Sequence, residues 1–137
     1  MKGSFMNELV TQYVLYLQYI GVAIVMTVVF GFIYLKLTPL KEIKLIKEGN
    51  IACAISFGGA LIGFCLTITS SISTTLTLVG FLIWSLLATI IQLLVYFVAT
   101  HIVKNASIKL ANNNIAVGIL FGAFSISIGL INAAALS

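Results

Sequence analysis

The stretch NIAVGILFG (114–122) repeats an earlier stretch of the chain, NIACAISFG (50–58). Six of the nine positions are identical, and the two stretches lie 64 positions apart. In each of them an Asn is followed at once by an apolar, glycine-bearing segment. Self-similarity at a fixed spacing indicates a duplicated structural unit. The pattern predicts two similar halves, repeat A over about 9–71 and repeat B over about 76–137.

The composition around these stretches is that of a membrane protein. The chain has 137 residues, of which 61% are hydrophobic and 7% charged, and its mean hydropathy is +1.22. A soluble domain carries about 25% charged residues, which this chain lacks. The charged residues all lie outside the long apolar runs. The sequence therefore predicts an all-α polytopic membrane protein built as a single integral membrane domain over 1–137.

Four apolar runs are long enough to cross a bilayer, since one crossing takes about 20 residues. We expect transmembrane helices over 13–35, 51–69, 76–102 and 115–136. The Ser/Thr-rich stretch 67–77 predicts a tight turn between the second and third helices, because such side chains compete for backbone hydrogen bonds. Each half holds two crossings, so the halves are predicted to be parallel repeats.

The lysines cluster in two loops, one between the first and second helices and one between the third and fourth. The positive-inside rule puts both loops in the cytoplasm and both termini in the periplasm. Thr38 before Pro39 predicts a short helix over 39–48 that ends at Gly49. Two interpretations of its basic side remain open, a surface that binds anionic lipid headgroups and a charged loop that only sets orientation. The lysines of that side are Lys41, Lys44 and Lys47.

Small residues form a stripe along the second and fourth helices. Such stripes mark helix contacts in lipid, where association depends on close packing and hydrogen bonds. We expect these two helices to form the close-packed centre, with Asn132 hydrogen-bonded inside it, and the glycine-rich faces to assemble copies into a homo-oligomer. The glycines concerned are Gly58, Gly59, Gly63, Gly118, Gly122 and Gly129.

The third helix carries a polar face formed by Ser85, Thr89, Gln92 and Tyr96. An unpaired amide facing lipid is costly, so this face should meet another helix or water. Two fates compete, a dry seam between helices and the lining of a wet pathway in an oligomer.

The chain has few residues of the types that catalysis or metal binding requires. There is one histidine, His101, which is either an interfacial polar residue or a pH sensor, and no metal-ligand cluster, carboxylate pair or nucleophile beside a base. No enzyme, cofactor or metal is expected. Cys53 and Cys65 lie about 18 Å apart along one helix and cannot bridge each other. The lysines flank apolar segments instead of forming a basic face with Arg and aromatics, which argues against nucleic acid.

With these segments in hand, the chain resembles the YjfL family of bacterial inner-membrane proteins. The stretches that carry the resemblance are GVAIVMTVVFGFIYLKLTP (21–39), NIACAISFGGALIG (50–63), IIQLLVYF (90–97), NNNIAVGILFGA (112–123) and INAA (131–134). The resemblance implies a four-helix inner-membrane protein with a doubled two-helix unit, and it supplies no catalytic or ligand residues. Genes for such proteins often lie with genes for membrane-remodelling proteins of the phage-shock type, which implies envelope maintenance and a partner of that kind.

Together these features favour an oligomeric scaffold or partner-binding subunit without enzymatic activity, embedded in the lipid bilayer of the bacterial inner membrane. The alternative is a small homo-oligomeric channel lined by the polar face of the third helix.

Overall fold

The computed structural model describes all 137 residues, and they form helices without any strand. Four helices are long and apolar enough to cross a membrane, which confirms the predicted fold class. Two six-residue helices lie between them. The elements are α1 (Lys2–Leu37), α2 (Glu42–Lys47), α3 (Ile51–Thr74), α4 (Leu78–Ile102), α5 (Ala106–Ala111) and α6 (Ile115–Leu136).

The third element, α3, runs five residues beyond its predicted end at position 69. Its Ser and Thr hydroxyls donate to carbonyl oxygens one turn earlier, for example Thr69 to Cys65 at 2.7 Å and Thr74 to Ser70 at 3.0 Å. Hydroxyls bonded in this way are satisfied without leaving the helix. Most of the expected turn over 67–77 is therefore helical, and only 75–77 connects α3 to α4.

The first helix, α1, is much longer than the predicted crossing over 13–35. Its 36 residues extend about 54 Å, whereas the hydrocarbon core of a bilayer is about 30 Å thick. Tyr19 packs on Phe81 near the start of α4, with ring centroids 6.0 Å apart. Tyr34 packs on Tyr96 towards the other end of α4 at 5.5 Å. The half of α1 after Tyr19 therefore spans the bundle, and the half before it projects beyond.

The short helices differ from expectation. Thr38 ends α1 and does not cap α2, which begins only at Glu42. Gly49 has a positive φ of 92°, as expected for the glycine that follows the helix.

The sequence did not predict α5, which lies 64 positions after α2. Asn113, with φ 59°, stands 64 positions after Gly49. The order long helix, short helix, long helix thus occurs twice, and the division into repeats stays a prediction.

The helix at the centre of the bundle is α3, which packs against every other helix. It runs parallel to α6, because Ala52 lies beside Gly118 and Gly63 beside Gly129. On another side α4 covers both of them, while α1 packs at the periphery against α3 and α4. The α3–α6 pair is therefore the centre on which α4 and α1 pack.

Candidate functional site

The closest helix contact in the bundle joins α3 and α6 through glycines. A Cβ built on Gly129 would lie 2.5 Å from the carbonyl oxygen of Gly63, and one built on Gly118 would lie 2.5 Å from that of Ala52. Such distances are far below van der Waals contact, so only glycine permits this approach. The two backbones touch directly, as small residues allow in membranes.

The other glycines divide between this contact and the surface. Gly59 abuts Gly122, whereas a Cβ on Gly58 would meet nothing within 4 Å. Gly58 lies about 100° around the helix from Gly59, where it is half-buried in the open groove between α3 and α6. The stripe is moreover used within one chain. Its buried glycines meet the other helix of the same chain, and assembly of copies through the glycine-rich faces stays a prediction.

Polar side chains extend the α3–α6 contact towards the end that bears the α3–α4 turn. The Asn132 amide donates to the Thr67 hydroxyl at 3.4 Å, and Thr67 is within 3.4 Å of the Gly129 carbonyl oxygen. The Ser70 hydroxyl donates to the Ala133 carbonyl at 2.7 Å. Asn132 is half-buried here. Hydrogen bonds between helices thus continue where the glycine stripe ends.

The polar face of α4 points into the bundle. Its members, Ser85, Thr89, Gln92 and Tyr96, are all buried. The Gln92 amide nitrogen donates to the Ser125 carbonyl of α6 at 3.1 Å, and the amide oxygen has no partner. This arrangement is a seam inside one chain, where α4 meets α3 and α6, and the face lines no opening in the monomer.

The two repeated Asn residues begin α3 and α6, but they are not equivalent. Each accepts a hydrogen bond from the third residue of its helix, at 2.9 Å for Asn50 and 3.3 Å for Asn114, as N-caps do. Asn50 also donates to the Leu110 and Ala111 carbonyls, at 2.8 and 3.2 Å. Its amide therefore ties the start of α3 to the last turn of α5.

A polar cluster that the sequence did not predict lies where α2 packs on the bundle. The Glu42 side chain is 2% exposed, and its Oε2 atom has no hydrogen-bond partner. Burial raises the pKa of this carboxyl from 4.5 to about 7, against a smaller lowering by the Thr38 hydroxyl. One signal existed in the sequence. Glu42 shares the i, i+3, i+4 side of α2 with the half-buried Leu45 and Ile46.

The opposite side of α2 faces outward. Lys41, Lys44 and Lys47 are all exposed, and headgroup binding by them stays a prediction.

His101 is exposed at the end of α4, its Nδ1 atom 2.8 Å from the Phe97 carbonyl oxygen. Cys53 is buried and Cys65 half-buried, both as free thiols.

Comparison with known proteins agrees with this architecture. Residues 6–136 match the family described as Domain of Unknown Function (DUF350). The chain is 34% identical over 119 residues to the UPF0719 inner membrane protein YjfL of Escherichia coli K12, covering 87% of this chain and 89% of that protein. It is 31% identical over 114 residues to the UPF0719 transmembrane protein YshE of Bacillus subtilis. That match covers 82% of this chain and 84% of YshE. No solved structure matches the chain. With four membrane-spanning helices and a match over nearly its whole length, this chain belongs to the DUF350 (UPF0719) family and is a multi-pass inner-membrane protein.

Proposed function

We propose that this protein is a non-enzymatic, oligomeric scaffold of the inner membrane whose copies associate through the projecting half of α1. The observation that carries the proposal is the exposure of this half. Every residue from Met1 to Gln18 is exposed, including large apolar side chains such as Phe5 at 60% and Val10 at 58%. A large apolar surface that no other part of the protein covers marks an interaction site.

Among the apolar residues in and just after this half, five follow the spacing of a coiled coil. Intervals of three, four, three and four separate them, which is the a/d pattern of helices that pack side by side. Their exposure ranges from 39% to 61%. We call this set the α1 seam, and it consists of Met6, Leu9, Tyr13, Tyr16 and Ile20.

A second copy is the partner that best suits the α1 seam. Identical a/d stripes are complementary to each other, so they can meet about a symmetry axis. Several glycines of the stripes pack against the neighbouring helix of the same chain, whereas the projecting half of α1 is exposed along its whole length. The opposite side of the projecting half carries Asn7, Glu8 and Thr11, which suit water or a soluble partner. An envelope-maintenance protein recruited to the assembled helices would meet this polar side.

The test compares two leucines of equal size and similar exposure. Leu9, 44% exposed, lies on the α1 seam, and Leu15, 47% exposed, lies about 120° around the helix from it. We expect Leu9→Ala to weaken self-association in nanodiscs or mild detergent by about 10-fold or more, because each buried leucine contributes about 1.5–3 kcal/mol. Leu15→Ala should leave association unchanged. A monomeric wild-type protein, or equal losses in both variants, would refute the proposal.

A further inference from the structure

Three buried polar atoms from three different helices have no hydrogen-bond partner beneath α2. They are Oε2 of Glu42 on α2, the Ser56 hydroxyl on α3 and the Tyr96 hydroxyl on α4. Their side chains are 2%, 1% and 3% exposed. Buried polar groups are nearly always hydrogen-bonded, and each exception calls for an explanation. Of the three groups, only the Glu42 carboxyl ordinarily carries a charge at neutral pH, and burying a charge costs more than burying a hydroxyl.

The surroundings of the Glu42 carboxyl contain no cation. The titratable side chains near enough to interact with it are Tyr34 on α1, Cys53 on α3 and Tyr96 on α4, all uncharged at neutral pH. From α5 only the Ser107 hydroxyl reaches this region, beside Tyr96. The charged groups of the α2 segment itself are exposed, namely Lys41, Lys44, Lys47 and Glu48. A carboxylate here would be buried without a counter-ion, which costs several kcal/mol.

The predicted repeat offers a comparison for the position of Glu42. Ala106 stands 64 positions after Glu42, at the matching first position of α5, and is 3% exposed. A small apolar side chain therefore fills the corresponding place in the other half of the chain. At the position that the predicted repeat matches with Glu42, the chain therefore carries no titratable group.

We propose that Glu42 is a proton-binding site, and that the bound proton keeps α2, with its lysines, packed on the bundle. We call this arrangement of α2 the seated form. When protonated, the carboxyl is neutral, so its burial no longer requires a counter-ion. When the proton is lost, the charged carboxylate is stabilised by contact with water. It can reach water only if α2 separates from the bundle.

The direction of the pH effect follows from the raised pKa of Glu42 in the folded protein. A group whose pKa is higher when seated stabilises the seated form most at low pH, below its ordinary value of 4.5. This stabilisation is lost as the pH rises towards the seated pKa of about 7. Between pH 5 and pH 8 the equilibrium constant for forming the seated form should fall by about 70-fold. The inference is independent of association through the α1 seam.

The experiment measures hydrogen–deuterium exchange of the α2 amides in nanodiscs at several pH values, corrected for intrinsic exchange. In the wild type, protection of α2 should fall as the pH rises from 5 to 8. Glu42→Gln keeps a neutral side chain of the same shape at every pH, so its protection should not change over this range. Glu48→Gln, which alters the exposed carboxyl at the end of the same helix, should behave as the wild type. Unchanged protection in the wild type, or a wild-type response in Glu42→Gln, would overturn the proposal.

A second measurement does not require Glu42→Gln to fold. Infrared difference spectra of the wild-type protein between pH 5 and pH 8 should contain the band of a protonated carboxyl that is lost on raising the pH. Glu8→Gln, in the projecting half of α1, should retain this band. A wild-type spectrum with only carboxylates across the range would rule out the proton site, even if Glu42→Gln failed to fold.

Discussion

Replacing Gly129 by Ala tests the direct backbone contact between α3 and α6. The new Cβ would lie 2.5 Å from both Cα and the carbonyl oxygen of Gly63 and 2.8 Å from its carbonyl carbon. Ordinary carbon contacts are about 3.5–4.0 Å, so the helices must separate by about 1 Å. The opposing atoms belong to the backbone, and no side-chain rotation relieves the clash.

The expected cost of Gly129→Ala follows from two opposing effects. Overpacking of a tight contact costs about 1–3 kcal/mol, and the rigid backbone puts this case near the upper end. Replacing a helical glycine by alanine returns up to about 1 kcal/mol. We expect a net loss of about 2 kcal/mol, which is about 30-fold in the folding equilibrium. The measurement is reversible unfolding in mixed micelles with increasing dodecyl sulfate, followed by far-ultraviolet circular dichroism.

Gly58→Ala is the matched control. It makes the same substitution in α3, where the new Cβ meets nothing within 4 Å. Its stability should equal that of the wild type or exceed it by at most about 1 kcal/mol. If Gly129→Ala were as stable as Gly58→Ala, the helices could not be in direct contact at Gly63, and the reasoning would fail.

Two further predictions use the same unfolding assay. Gln92→Leu removes one hydrogen bond, to the Ser125 carbonyl, and such bonds in membranes average about 0.6 kcal/mol, so we expect a loss below about 1 kcal/mol. In liposomes neither form should conduct ions, and a flux that depends on Gln92 would support a channel instead. Asn50→Ala should cost about 1 kcal/mol more than Asn114→Ala, because both lose a cap but only Asn50 also loses bonds to two carbonyls of α5. Equal losses at the two positions would contradict this assignment.

Much of the fold could be predicted because lipid imposes simple rules on a sequence. Every backbone group must be paired inside the bilayer, so each long apolar run becomes a helix, and the bounds of α6 agree with the prediction. The stripe of glycines at three- and four-residue intervals also indicated which helices would approach closely. The end of α3 was misplaced because Ser and Thr can satisfy their hydroxyls either in a turn or within a helix, and composition does not distinguish the two.

By itself, then, the sequence determined the membrane class, the number of crossings and the small-residue stripes, since these depend on local composition and helical period. Only the tertiary structure decided which of the remaining faces are covered and which stay exposed. It left the first half of α1 without a neighbour and buried Glu42 while exposing the lysines beside it. Those outcomes depend on how far α1 extends past the bundle and on where α2 folds back. Both depend on contacts between distant segments, and the spacing of Glu42, Leu45 and Ile46 indicates a shared side of α2 but not what covers that side.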